Sequence, residues 1–159
     1  MELYKFQPDC IIYRKRSSKV VEKQVFEISF IVESKEITPD QITAHLNIVP
    51  TKKRNIREWP NVIHHMSNLP EDLKARNVWE FSAEVETETG INDSLLSFSE
   101  TLYNAELEIT QLCSSFSTKP CLIITLNAEH LWENQDLSIP IRLLLLMHNI
   151  NAEIMITLR

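Results

Sequence analysis

Five glutamates stand where an extended chain could turn them toward chemistry. Glu27 lies with Glu33 in the run Val25–Glu33, Glu80 and Glu84 bracket Ser82, and Glu153 starts the last apolar run. A spacing of two puts alternate side chains on one side of a strand. Strands bearing Glu27, Glu80, Glu84 and Glu153 side by side would make an acidic patch. Directly opposed like charges cost about 0.2–1 kcal/mol per pair, so a face that keeps them is suited to attracting a basic protein partner and speeding its approach. The plain structural reading of the same acids is a solvated sheet face.

A second set is basic. Lys52, Lys53, Arg54 and Arg57, followed by Trp59, have the composition of a loop that contacts an anion such as phosphate. Against nucleic acid stands the overall balance of 16 Lys and Arg to 22 Asp and Glu, a net charge of −6. The two signs are also unevenly spread: net +4 through Arg57 (11 basic, 7 acidic) and net −10 from Glu58 onward (5 basic, 15 acidic). Trp132, in an otherwise polar stretch from Asn127 to Leu137, is a further candidate contact.

No catalytic residue emerges. His64 and His65 are adjacent and cannot share a helix face, while His130 and Glu133 supply one imidazole and one carboxylate, short of the three or four ligands a metal needs. The single glycine, Gly90, leaves no phosphate-cradling loop. Cys113 and Cys121 are expected to be buried, and buried thiols are usually inert. We therefore expect no metal and no cofactor. Three cysteines without a paired spacing, and no basic-then-apolar leader at Met1, read as a reduced, cytoplasmic protein. The apolar run Ile139–Met147 is too short to span a bilayer.

These residues need elements to hold them. Val25–Glu33 alternates Phe26, Ile28, Phe30 and Val32 against Glu27, Ser29 and Glu33, a strand with one wet side. Ile37-Thr-Pro-Asp-Gln-Ile42 starts a helix, with Thr38 as N-cap, Pro39 in the first turn and Gln41 closing a capping box. Its inward side would use Ile42, His45, Leu46 and Val49, ending at Pro50. Residues 51–77 read as a long loop with at most a short helix, and loops of that length are uncommon unless they bind something. Val78–Val85 is a strand with Trp79, Phe81, Ala83 and Val85 inward. The three-four spacing of Leu95, Phe98, Leu102, Ala105, Ile109, Leu112 and Phe116 predicts one helix of some six turns capped by Asn92. Cys121–Leu126 is a strand, Ser138 caps a helix over Ile139–His148, whose His148, like His45, is expected at a core or boundary position, and Ala152–Leu158 is a closing strand with Ile154, Ile156 and Leu158 inward. Turns needing positive φ must use asparagine, with Asn149 and Asn151 as candidates.

Acids at alternate positions rule out a parallel sheet covered on both faces, whose strands would be apolar throughout. The expected architecture is α+β: a two-layer sandwich with a mixed or antiparallel sheet of four to five strands and helices on one face. The length suits a single domain over residues 1–159, with an N-terminal hairpin extension over 1–24.

In this order the chain resembles an uncharacterised, mainly bacterial family, domain of unknown function 4279. The resemblance is carried by Val25–Val32, by Ile37-Thr-Pro-Asp-Gln-Ile-Thr-Ala-His-Leu-Asn-Ile-Val-Pro50, by Val78-Trp-Glu-Phe-Ser82 and by Leu144–Leu158. It implies a fold and no catalytic residues. Some relatives look like companions of bacterial toxin systems, which implies by analogy an immunity-like binding role.

The first functional expectation is thus a non-catalytic, cytoplasmic protein-binding module that meets a basic partner through Glu27, Glu80, Glu84, Glu153 or Trp132. Two alternatives stay open. One is an enzyme or small-ligand domain with its site in loops 51–77 and 127–137. The other is a nucleic-acid accessory using loop 52–57.

Overall fold

A computed structural model of the chain describes residues 26–85, 90–126 and 137–158. The expected hairpin over 1–24, the residue Trp132 and all of the 127–137 loop except Leu137 lie outside these. The elements run β1 (Phe26–Ser34), α1 (Pro39–Leu46), β2 (Lys52–Arg54), α2 (Asn61–His65), β3 (Asn77–Val85), α3 (Ile91–Asn104), α4 (Glu106–Ser115), β4 (Thr118–Leu126), α5 (Ile141–Asn149) and β5 (Glu153–Leu158). The fold is α+β, and the described residues form an open mixed sheet of five strands in the order β2-β3-β1-β4-β5. Every pairing is antiparallel except β4 with β5, which run parallel and are joined through α5.

The alternation in β1 orders the interior. Phe26, Ile28, Phe30 and Val32 enter one core with Trp79 of β3 and Leu122, Ile124 and Leu126 of β4; Ile42, Leu95, Leu102, Ile109, Leu112 and Leu143 close it from the helix layer. Trp79 is fully buried, sits edge-on to Phe30 at 6.5 Å, and donates its indole N–H to Thr43 Oγ1 at 3.1 Å. A buried tryptophan needs such an acceptor, because its N–H would otherwise lose water without replacement. Helix α1 starts as its sequence demands: Gln41 N donates to Thr38 Oγ1 and Thr38 N donates to Gln41 Oε1.

Several local expectations are corrected. Helix α1 ends at Asn47, in the left-handed region with φ 53, rather than at Pro50, leaving His45 and Val49 exposed. Asn151 is the second left-handed residue, with φ 52; Asn149 is helical. Residues 52–54 are a strand, not a loop: three residues suffice to extend the sheet along β3. The six-turn helix is two helices. At Ala105 the φ is −115 and the amide turns back to the carbonyls of Leu102 and Tyr103, so the axis bends while Leu102, Ala105 and Ile109 stay buried; Phe116, past the end, is exposed. Helix α3 has Gly90 as N-cap, and Asn92 Oδ1 instead accepts from the backbone N–H of Ser138. Helix α5 begins after Pro140, not Ser138, and His148 is exposed rather than boundary. Ile154, Ile156 and Leu158 stand in register with Leu122, Ile124 and Leu126, on the helix side, yet remain 39–63% exposed because β5 is the edge strand and the main core closes over β1, β3 and β4.

Candidate functional site

Register builds the face opposite the helices row by row. Glu27 of β1 stands between Glu84 of β3 and Thr125 of β4; Ser29 stands between Ser82 and Ile123; Ile31 between Glu80 and Cys121; Glu33 between Val78 and Lys119. On the flanks, Lys52 and Arg54 of β2 adjoin Glu80 and Val78, while Glu153, Met155 and Thr157 of β5 adjoin Cys121, Ile123 and Thr125. The outer face is not uniformly wet. Ile31, Cys121 and Ile123 form a second, smaller apolar cluster with Val78 and Met155, and Ser29 and Thr125 beside them are buried.

Of the acids singled out from the sequence, Glu27, Glu80 and Glu84 come together and Glu153 does not. Glu80 is half-buried; its Oε1 accepts from Ser29 Oγ at 3.2 Å and from Lys52 Nζ at 3.1 Å. The same ammonium lies 3.9 Å from Glu27 Oε1. Glu84, directly opposite Glu27, is exposed. Glu153 is exposed on the far edge strand, with β1 and β4 between it and β3. The patch is therefore a compact group at the β1–β3 ladder, with Glu80 fixed by hydrogen bonds, and not a stripe across the whole sheet.

The basic set is split by the pleat. Lys52 points to the outer face and into the acids, while Lys53, one residue on, pairs with Asp40 at 2.7 Å near the start of α1. The Arg54 guanidinium lies over Trp59, 5.1 Å from the ring centroid, and the Trp59 indole donates to the carbonyl of Arg76 at 2.6 Å. Arg57 is exposed in the 3-10 turn Ile56–Glu58. Alternation separates Lys53 from Lys52 and Arg54, and Arg54 is drawn over Trp59 while Lys52 meets the acids, so these cations do not converge on one anion.

The most built polar region lies at the end of the outer face, and sequence reasoning found only one of its members, Glu33. A cavity of about 150 Å³ is lined there, among the described residues, by Glu33, Lys35, Glu36, Glu71, Arg76 and Lys119, with Ser34 and Ser117. Arg76, 6% exposed, donates from Nη1 to Glu33 Oε2 at 2.6 Å and from Nη2 and Nε to the carbonyls of Glu71 and Lys74 at 3.3 Å. Burial raises the carboxyl pKa of Glu33 above its ordinary value, against the opposing pull of Arg76 and, more weakly, Lys119. Hydrogen bonds from Lys35, then Lys74, hold Glu71, an exposed acid, down at about 2. Glu36 accepts from the backbone N–H of Ser117 at 2.9 Å. Arg76 gave no signal in sequence because nothing local marks which strand end its side chain reaches; Lys119 is placed opposite Glu33 only by the β1–β4 register.

Among the described residues no three His, Cys, Asp or Glu gather to hold a metal ion, and no helix is long and apolar enough to cross a membrane. Burial pushes the Cys113 thiol pKa up, away from the reactive thiolate, although Thr118 opposes it.

Comparison with known proteins adds a family. Residues 23–159 match the model described as Domain of unknown function (DUF4279). No curated protein and no solved structure matches.

Proposed function

The chain belongs to the DUF4279 family, and from that premise and the geometry of the outer face we propose that it is a non-catalytic module that binds a basic protein segment. The family carries no activity to inherit, so the proposal rests on the site. The observation behind it is the β1–β3 ladder, where exposed Glu84 lies directly across from Glu27, with Glu80 held half-buried on the same face. Opposed carboxylates fixed on a rigid sheet cost free energy in the isolated chain, and an arriving lysine or arginine relieves that cost as it forms charge-assisted hydrogen bonds. Attraction of this type raises the association rate and weakens with salt. A cytoplasmic, immunity-like role in a bacterium, in which the acidic ladder masks a basic partner, is the setting this chemistry fits.

The test is charge reversal. A tagged chain carrying Glu84→Lys, and a second carrying Glu27→Lys, Glu80→Lys and Glu84→Lys together, are used for capture from native extract alongside the unaltered chain. The expected result is a partner eluted from the unaltered chain by moderate salt and lost from both variants. Glu84 is exposed, so its single variant keeps the fold and separates lost binding from lost structure. Recovery of the same partners at the same salt resistance from every version would remove the acidic ladder from the account.

A further inference from the structure

The cavity at the end of the outer face has an unfilled place in its charge pattern. Its lining charges balance, with Lys35, Arg76 and Lys119 against Glu33, Glu36 and Glu71. Most already have partners: Lys35 and Lys74 hold Glu71, Arg76 holds Glu33, and Glu36 takes the Ser117 N–H. Lys119 and the second carboxylate oxygen of Glu33 are the exception. The β1–β4 register sets them directly opposite each other on one face, the ordinary arrangement for a cross-strand ion pair, yet Arg76 draws the carboxylate to itself through Oε2. Among the described residues Glu33 Oε1 then accepts no hydrogen bond, and the Lys119 ammonium makes no ion pair. Both residues line the same small cavity, and each keeps hydrogen-bonding capacity unused within the described residues.

The geometry points to this cavity as a binding site for a small zwitterion of α-amino-acid size, its carboxylate on Lys119 and its ammonium on Glu33 Oε1. A neutral pocket of alternating charge gains nothing net from a lone anion or a lone cation, because either leaves one lining group unanswered while losing its own water. A ligand carrying both signs a few ångströms apart answers both. The volume, about 150 Å³, matches roughly five water molecules at about 30 Å³ each, room for a compact amino acid and not for a nucleotide. This goes beyond the proposed protein-binding role and does not depend on it, since the acidic ladder at Glu27, Glu80 and Glu84 lies elsewhere on the face.

The experiment is a titration of the full chain followed by amide chemical shifts, using L-alanine, sodium acetate and methylammonium chloride as separate probes. L-alanine is expected to give saturable shifts at Lys119, Glu33 and Arg76, and each half-molecule to bind at least about tenfold more weakly. Lys119→Met, at an exposed position, is expected to weaken L-alanine about tenfold while leaving the spectrum of the rest of the fold in place. Glu33→Gln is a second variant that removes the acceptor charge but keeps an oxygen for Arg76. Acetate binding as well as alanine would overturn the zwitterion and leave a simple anion site; equal alanine affinity in Lys119→Met, or no saturable shift with any probe, would overturn the site itself.

Discussion

Glu71 and Glu33 line one pocket and each is held by cations, yet their carboxyl groups are displaced in opposite directions. Glu71 is exposed and bonded by Lys35 and Lys74, and its pKa falls to about 2. Glu33 has the more rigid partner in Arg76, and its pKa rises, because the side chains of the pair are only 7% and 16% exposed and desolvation of the carboxylate outweighs the guanidinium's attraction. A close ion pair is thus no measure of stability by itself. Water lost by the charges decides the sign, and the same cation that would strengthen a surface acid only limits the penalty of an interior one.

Removing Arg76 breaks this contrast most severely. Arg76→Ala leaves Glu33 in a desolvated place without its guanidinium and strips hydrogen bonds from the carbonyls of Glu71 and Lys74, so a loss of about 3–5 kcal/mol is expected in urea unfolding at neutral pH. Replacing both partners, Arg76→Met with Glu33→Met, is expected to return most of that loss. A single variant within about 1 kcal/mol of the parent would show that the pair is solvated and the contrast illusory.

A milder change sharpens the comparison through pH. Because the folded-state pKa of Glu33 lies above 4.5, its usual value, the folded chain keeps this proton longer than the unfolded chain does. Its contribution is therefore fully present below 4.5 and is lost as pH rises through the folded value. Glu33→Gln abolishes that decline, and its stability profile from mildly acidic to neutral pH should be flatter than the parent's, with a smaller change than Arg76→Ala causes. An unchanged slope would mean that Glu33 titrates as an ordinary carboxylate.

The smallest effect belongs to Glu71. Its contribution is present above 4.5 and is lost as pH falls toward about 2, the reverse of Glu33. Glu71→Gln should hardly move the unfolding midpoint at pH 7, while making the acid-side decline between those two values shallower. A drop at pH 7 comparable to that of Arg76→Ala would contradict its description as a screened surface pair.

What could be read from the sequence followed what is local. The alternation in Phe26–Ser34 and the capping box at Thr38 and Gln41 specify their own geometry within a few residues, and strand and cap appear where the pattern places them, whereas the expected wet side of the strand buries Ser29. The bend at Ala105 escaped because the apolar stripe continues through it; a break in the helix axis changes which neighbours are met, not which positions are buried. The acids Glu27, Glu80 and Glu84 were visible as a face, but the approach of Lys52 to Glu80 and Glu27 depends on a three-residue strand too short to show a period. The Arg76 pocket is the extreme case. It is made where the ends of β1 and β4 meet the chain entering β3, and only long-range register brings Glu33, Arg76 and Lys119 within reach of one another.

The central place of β1 has a bearing on how the chain is made. It is the earliest of the described strands to be synthesised, yet it needs ladder partners on both flanks, and these begin only at Asn77 and Thr118. A nascent chain that has not yet emerged past Thr118 has one whole flank of Phe26–Ser34 without its strand, exposing amides and carbonyls able to pair with a neighbouring polypeptide. Closure of the sheet therefore waits on late residues, and the interval between synthesis of the first and fourth strands is when this protein depends most on dilution or chaperone cover.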